Sequence, residues 1–199
     1  MAIDRQKVID DLSKIKVCGN ADGIIPAFGV LVNQLPANFW NVFSMKILKA
    51  AGDSLYDDAA GLLENAGSEC GYHTGWGIIN SEEFKSVVGP MIKKETALED
   101  TLHGAFAVFT AWGWAKAEIV ELIPGEKMVV RAYDYYEADV KDSFKPKKPF
   151  AYMISGVSRA FMDIAYGDKP YPDGFGKFKC KQTKAIECGD SYGEFLITK

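Results

Sequence analysis

Apolar residues repeat at spacings of three and four through the first 112 positions and alternate with polar ones in much of the remainder. Val8, Leu12 and Ile15 form one stripe over residues 4 to 16, and Asp4 is placed to cap a short helix. Asn20 to Gly23 reads as a turn, and Phe28 to Val32 as a strand closed by Asn33-Gln34 and Pro36. Asn38 opens the longest predicted helix, which runs to about Ala66 and ends at Gly67. Its inward stripe is Trp40, Phe43, Ile47, Ala51, Leu55, Ala59, Leu62 and Ala66. Gly52 within it marks a place where another element approaches closely. Gly71, Gly75 and Gly77 around Trp76 make a glycine-rich passage. Ser81 opens a shorter helix through Val88, stopped by Gly89-Pro90. Thr96 to Trp112 is a further helix, with Leu98, Leu102, Ala105, Phe106, Phe109 and Trp112 inward.

The period then changes. Trp114 to Ile123 and Met128 to Tyr136 read as strands, joined by the hairpin signal Pro124-Gly125-Glu126-Lys127. A short helical fragment starts near Glu137. Phe150 to Tyr166 is an amphipathic helix with Ile154, Val157, Phe161, Ile164 and Ala165 on one stripe, ended by Gly167 with Pro170 and Pro172 beyond. Lys177, Lys179 and Lys181 alternate with Phe178, Cys180 and Gln182, so the lysines face water and suit an edge strand. A turn at Gly189 to Gly193 leads into a closing strand, Glu194 to Thr198. Helices early and hairpins late predict an α+β domain, an antiparallel meander sheet packed against a layer of helices. Residues 1–20 are expected as an N-terminal helical arm and 21–199 as the domain proper.

Composition narrows the classes of function. The chain has 199 residues, 48% hydrophobic and 25% charged, ordinary for one compact domain. A net charge of −4 and a pI near 5.3 argue against a nucleic-acid or anionic-membrane partner. The basic cluster of Lys141, Lys145, Lys147 and Lys148 reads as a solvated loop. Residues 23 to 45 carry no charge, but Pro26, Asn33, Gln34, Pro36, Asn38 and Asn41 interrupt them, unlike a membrane span of ~20 continuous apolar residues. The 4 cysteines, Cys18, Cys70, Cys180 and Cys188, follow no disulfide framework. A cytoplasmic protein is expected.

Ser155-Gly156, Gln182, Ala185, Gly189-Asp190 and Gly193-Glu194-Phe195 together resemble the end of the 4-vinyl reductase domain family. Lys49-Ala50-Ala51-Gly52, Gly113-Trp114 and Tyr136-Glu137-Ala138 occur in the order that family uses. The family reads Glu-x-x-Cys-x-x-x-Gly-Asp-x-x-Cys-x-Phe in this hairpin, whereas its metal-ligand positions here are Gln182, Ala185 and Gly193. The resemblance therefore implies the scaffold without the zinc chemistry. It further implies kinship with phenol-sensor domains and TRAPP-type tethering subunits, a hydrophobic interior, and a homodimer.

Catalysis has little to stand on. The 2 histidines, His73 and His103, lack a nucleophile-elbow motif to serve, and Cys70-Gly71-Tyr72-His73 reads as a flexible loop in which thiol and imidazole are adjacent in sequence only. No Gly-x-Gly-x-x-Gly follows a strand, so no cofactor is expected. Cys180 and Cys188 with Glu187 fall short of the four ligands zinc takes, and read as small core hydrophobes. The hairpin is instead expected to be held by Phe178, Phe195 and Ile197. The aromatic content points to binding: a hydrophobic pocket of roughly 300–1,000 Å³ lined by Phe43, Ile47, Phe106, Trp112 and Tyr133. His103 is either its polar contact or a core histidine bonded to a backbone carbonyl. The expected function is binding of a small hydrophobic or aromatic (hydrocarbon-like) molecule. Two other readings stay open, a tetrapyrrole vinyl-reduction protein or its accessory, and a structural subunit of a larger assembly.

Overall fold

Helix α6 (Tyr152–Tyr166) runs through the middle of the molecule, with one face on a long helix, α3 (Tyr56–Asn80), and the other on a sheet. The computed structural model describes residues 3–15, 17–142, 146 and 148–199. The remaining helices are α1 (Arg5–Leu12), α2 (Ala37–Ala51), α4 (Glu82–Val87) and α5 (Ala97–Ala111). Strands β1 (Ile25–Ala27) and β2 (Val30–Val32) form a small hairpin. Strands β3 (Ala115–Ile123), β4 (Lys127–Tyr135), β5 (Lys179–Lys184) and β6 (Gly193–Thr198) form an antiparallel sheet in the order β3-β4-β6-β5. This is an α+β fold, as the change of period predicts. Lys145 and Lys147 of the basic cluster, and Lys16 at the end of the expected first helix, lie outside the described residues. Among the described residues no helix is long and apolar enough to cross a membrane.

The sheet follows the alternation closely. Val130 pairs with both Ile119 and Phe195, and Ile197 with Cys180. Phe178, Phe195 and Ile197 are fully buried in one core cluster with Ile154 and Met162 of α6. Each contributes about 1.5–3 kcal/mol by leaving water. Strand β5 is one of the two edges, and Lys179 and Lys181 are exposed along it. At the other end, Arg5 of α1 donates to the carbonyl of His103 (3.3 Å), to the Thr110 hydroxyl (3.4 Å) and to the carbonyl of Ala117, which docks α1 on α5.

The early half departs from expectation in three places. Phe28 does not begin a strand; it turns the β1–β2 hairpin at φ 54, with Gly29 beside it at φ 70. The long helix breaks at Gly52 (φ 66), which ends α2, and nothing lies within 4 Å of where its Cβ would be. Gly52 therefore supplies a positive φ that only glycine adopts readily, which ends the helix, and not a close approach. Finally, Gly67 ends nothing: α3 continues through Gly71, Gly75 and Gly77 to Asn80.

Those glycines bring α3 and α6 together. A Cβ on Gly67 would sit 2.9 Å from the Met153 backbone, one on Gly71 2.8 Å from Val157 Cα, and one on Gly75 2.8 Å from Phe161 and Ile164. From the other side, a Cβ on Gly156 would meet the Ser68 amide nitrogen at 2.6 Å. Spacing of four puts Gly67, Gly71 and Gly75 on one helix face, and removing side chains there lets the two backbones touch. In an open helix Gly→Ala stabilises by about 1 kcal/mol. At Gly71 the added methyl meets backbone, so the sign should reverse. Urea unfolding of Gly71→Ala should show a loss of about 1–3 kcal/mol. Gly61→Ala, in the same helix with open space around it, should be neutral or gain up to about 1 kcal/mol. Equal gains for both substitutions would contradict this packing.

Candidate functional site

Where α5 crosses the glycine-bearing face of α3, the missing side chains leave a cleft. Its walls are Cys70, Gly71, Thr74, Gly75 and Ile78 of α3, Ala105, Val108 and Phe109 of α5, Trp112 and Trp114 just beyond it, and Val157 and Phe161 of α6. Gly113, at φ 76, reverses the chain between α5 and β3 and brings the two tryptophans to the same cleft. Trp112 is held edge-on by Phe28 at 4.7 Å, while Trp114 packs against Phe109 (5.4 Å) and Tyr136 (6.1 Å). The lining is almost wholly apolar; the Cys70 thiol and the Thr74 hydroxyl, 3.8 Å apart, belong to wall residues of α3.

The open space is about 30 Å³. That is the volume of one water, whereas a cavity that admits benzene measures roughly 150 Å³. It is far below the roughly 300–1,000 Å³ expected. The cleft can hold a small aromatic molecule only if a wall moves. Trp114 is half-buried and lies just before β3, whose register shifts between Ala115 and Ala117. Its amide donates to the Phe109 carbonyl at 3.3 Å and its carbonyl accepts from the Tyr136 amide at 3.4 Å, outside the regular ladder.

The structure does not gather the expected pocket residues round one hollow. Trp112 lines the cleft. Phe106 is fully buried one turn earlier, against Phe161 (5.2 Å) and Phe109 (6.1 Å). Phe43 is 45% exposed on the outer side of α2, and Ile47 packs beside Leu48 and Phe150. Tyr133 faces water on β4, its hydroxyl donating to Glu118 at 2.8 Å. His103 lies on the α1 side of α5; its imidazole Nδ1 is buried without a hydrogen-bond partner, and burial, aided by the Arg5 charge, lowers its pKa. Sequence reasoning missed Gly71, Thr74, Gly75 and Cys70. The signal was present as glycines four apart, read there as a loop. His73, expected in a loop with Cys70, lies on α3 and pairs through Nδ1 with the Tyr171 hydroxyl at 3.0 Å.

A second polar group of residues surrounds Gln182 and Gly193 at the end of the β5–β6 hairpin. The Tyr135 ring occupies the space beside Gly193, where a Cβ would come within 2.6 Å of it. Its hydroxyl donates to the buried Glu187 carboxylate and accepts from the Ile186 amide at 3.0 Å. Gln182 donates to Glu187 (3.1 Å) and to the Tyr135 hydroxyl (3.2 Å), and accepts from the Ala151 amide at 3.1 Å. Glu187 also accepts from the Phe150 amide at 2.7 Å. The hairpin is thereby tied to the start of α6 by hydrogen bonds as well as by Phe178, Phe195 and Ile197. Among the described residues no three His, Cys, Asp or Glu side chains converge as a metal site requires.

Glu137 completes this end of α6. Fully buried, it accepts from the amides of Met153 (3.1 Å) and Ile154 (3.0 Å), and burial pushes its pKa up to about 8. The folded protein then keeps a proton that the unfolded chain releases near 4.5. This contribution to stability is complete below pH 4.5 and is lost as pH rises through about 8. The melting temperature should fall from pH 5 to pH 9, and Glu137→Gln should flatten that fall. An unchanged slope in the variant would show that Glu137 does not titrate there.

No family model matches the chain, and no curated protein sequence is similar to it. Among solved structures it is similar to the phenol-responsive sensory domain of the transcription activator PoxR, bound to phenol. The two share 14% identity with a TM-score of 0.73, over 100% of this chain and 91% of that one. A more distant likeness is to trafficking protein particle complex subunit 3 from Naegleria fowleri, covalently bound to palmitic acid. There the identity is 16% and the TM-score 0.47, over 82% of this chain and 96% of that one.

Proposed function

We propose that this protein is a sensory-type domain that binds a small aromatic or similar apolar molecule between α3, α5 and α6, and works as a homodimer. The observation that carries the reading is the apolar cleft itself: three helices meet around a gap lined by two tryptophans, two phenylalanines and aliphatic side chains. Ligand sites are commonly of this kind, apolar with one or two polar groups. The shared fold with a phenol-sensing domain supports the choice of ligand class. Thr74 is the group suited to a ligand hydroxyl, and Trp114 is the wall that swings outward to admit the ring. Trp112 remains from the six residues first expected. Cysteines that are all free suit a reducing, cytoplasmic setting. The reading keeps the ligand-binding part of the 4-vinyl reductase resemblance and assigns no vinyl reduction.

Phenol and 4-methylphenol at millimolar concentration should raise the melting temperature. Stabilisation grows as RT ln(1 + [L]/Kd), about 2.7 kcal/mol at one hundred times Kd. Ala105→Leu fills the cleft from α5 and should abolish the shift while the far-UV spectrum stays native. Thr74→Val should weaken phenol up to about tenfold, the worth of one hydrogen bond, and leave toluene unchanged. Equal shifts in wild type and Ala105→Leu would mean that the ligand sits elsewhere.

A further inference from the structure

Helix α2 is turned the wrong way for a protein that works alone. Its buried residues are Asn41, Ser44 and Leu48, while Phe39, Trp40 and Phe43 face outward with their rings in mutual contact at 5.3 to 6.3 Å. The helix cannot roll to hide them. Asn41 Nδ2 donates to the Tyr136 carbonyl at 2.7 Å, and Leu48 is locked among Ala59, Leu63 and Phe150. Leu35, just before α2 in the chain, is 47% exposed, and Leu31 on the β1–β2 hairpin 69%.

We infer that this face of α2, with the hairpin that precedes it in the chain, is where two copies of the chain meet. The inference deepens the homodimer reading above and rests on it. Its first support is area. Leu31, Leu35, Phe39, Trp40, Val42 and Phe43 are exposed by a third to two thirds, which at roughly 150–250 Å² for a large side chain leaves about 500 Å² of apolar surface. Doubled across a two-fold axis this reaches about 1,000 Å², the size at which specific interfaces begin, before any polar rim is added. The second support is charge. In an isologous contact a patch meets its own copy, so fixed charge there tends to face like charge. Residues 23 to 45 carry none. A membrane surface is the weaker fit, because helices that lie on membranes carry Lys and Arg along their polar face, and α2 has only Lys46 and Lys49, near its C-terminal end.

The full chain at 50 μM should run in size-exclusion chromatography with light scattering at twice its 21.9 kDa. Phe43→Glu places a carboxylate on each side of the axis and should weaken association at least a hundredfold, giving a monomer with an unchanged melting profile. Val120→Glu, at an exposed apolar position on β3, should leave the dimer intact. A wild-type monomer at this concentration, whether or not it sediments with phosphatidylcholine vesicles, overturns both the dimer and this face. A dimer that persists in the Phe39→Glu/Phe43→Glu double variant overturns this face alone and leaves dimerisation through another surface.

Discussion

The rest of the molecule depends on how closely α3 and α6 approach. Backbone contact at Gly67, Gly71 and Gly156 fixes the two axes, and α6 in turn shares one core, through Ile154 and Met162, with Phe178, Phe195 and Ile197 of the sheet side. The same stripe creates the cleft. Glycines suppress side chains along one whole face, but α6 covers only part of it; where α5 completes the cover, the packing leaves a gap. Stability and the candidate site thus come from one feature, and the site lies where the close packing of the two helices gives out.

Buried carboxylates hold the surrounding chain by binding backbone amides. Glu137 accepts from Met153 and Ile154, Glu187 from Phe150, and Asp163 from Gly176, Lys177 and Phe178. Asp100 does the same for Lys93. Such groups stand out in a search for reactive residues, because burial shifts the pKa of Glu137 and Asp163 upward. Their partners show another task, satisfying amides at helix starts and strand entries that would otherwise be buried unpaired. In the hairpin Tyr135, Gln182 and Glu187 connect β4, β5 and the entry to α6 through shared hydrogen bonds.

The late half of the chain was legible because alternation and turn chemistry agree there. The β3–β4 hairpin, the edge lysines of β5 and the inward Phe178, Phe195 and Ile197 all follow from period two. The early half misled for a physical reason. Hydropathy marks a buried face by what its side chains are, and the most important face of α3 has none at Gly67, Gly71 and Gly75. Helix α2 inverts the rule outright, hiding Asn41 and Ser44 and showing Phe39 and Phe43. The candidate site was correspondingly faint. Trp112 was legible as a large inward aromatic, whereas the cleft is defined by an absence of side chains, and only the crossing of α3 by α5 locates it.

The central claim is that a phenol-sized molecule enters between α3, α5 and α6. The most direct measurement is the anomalous scattering of iodine in crystals of the protein grown with 4-iodophenol. The account predicts an iodine peak among Val108, Phe109 and Val157, with Trp114 displaced outward and the phenol oxygen within hydrogen-bonding distance of Thr74. A peak beside His103 on the α1 side of α5, or a cleft that stays closed and empty under saturating ligand, would contradict it.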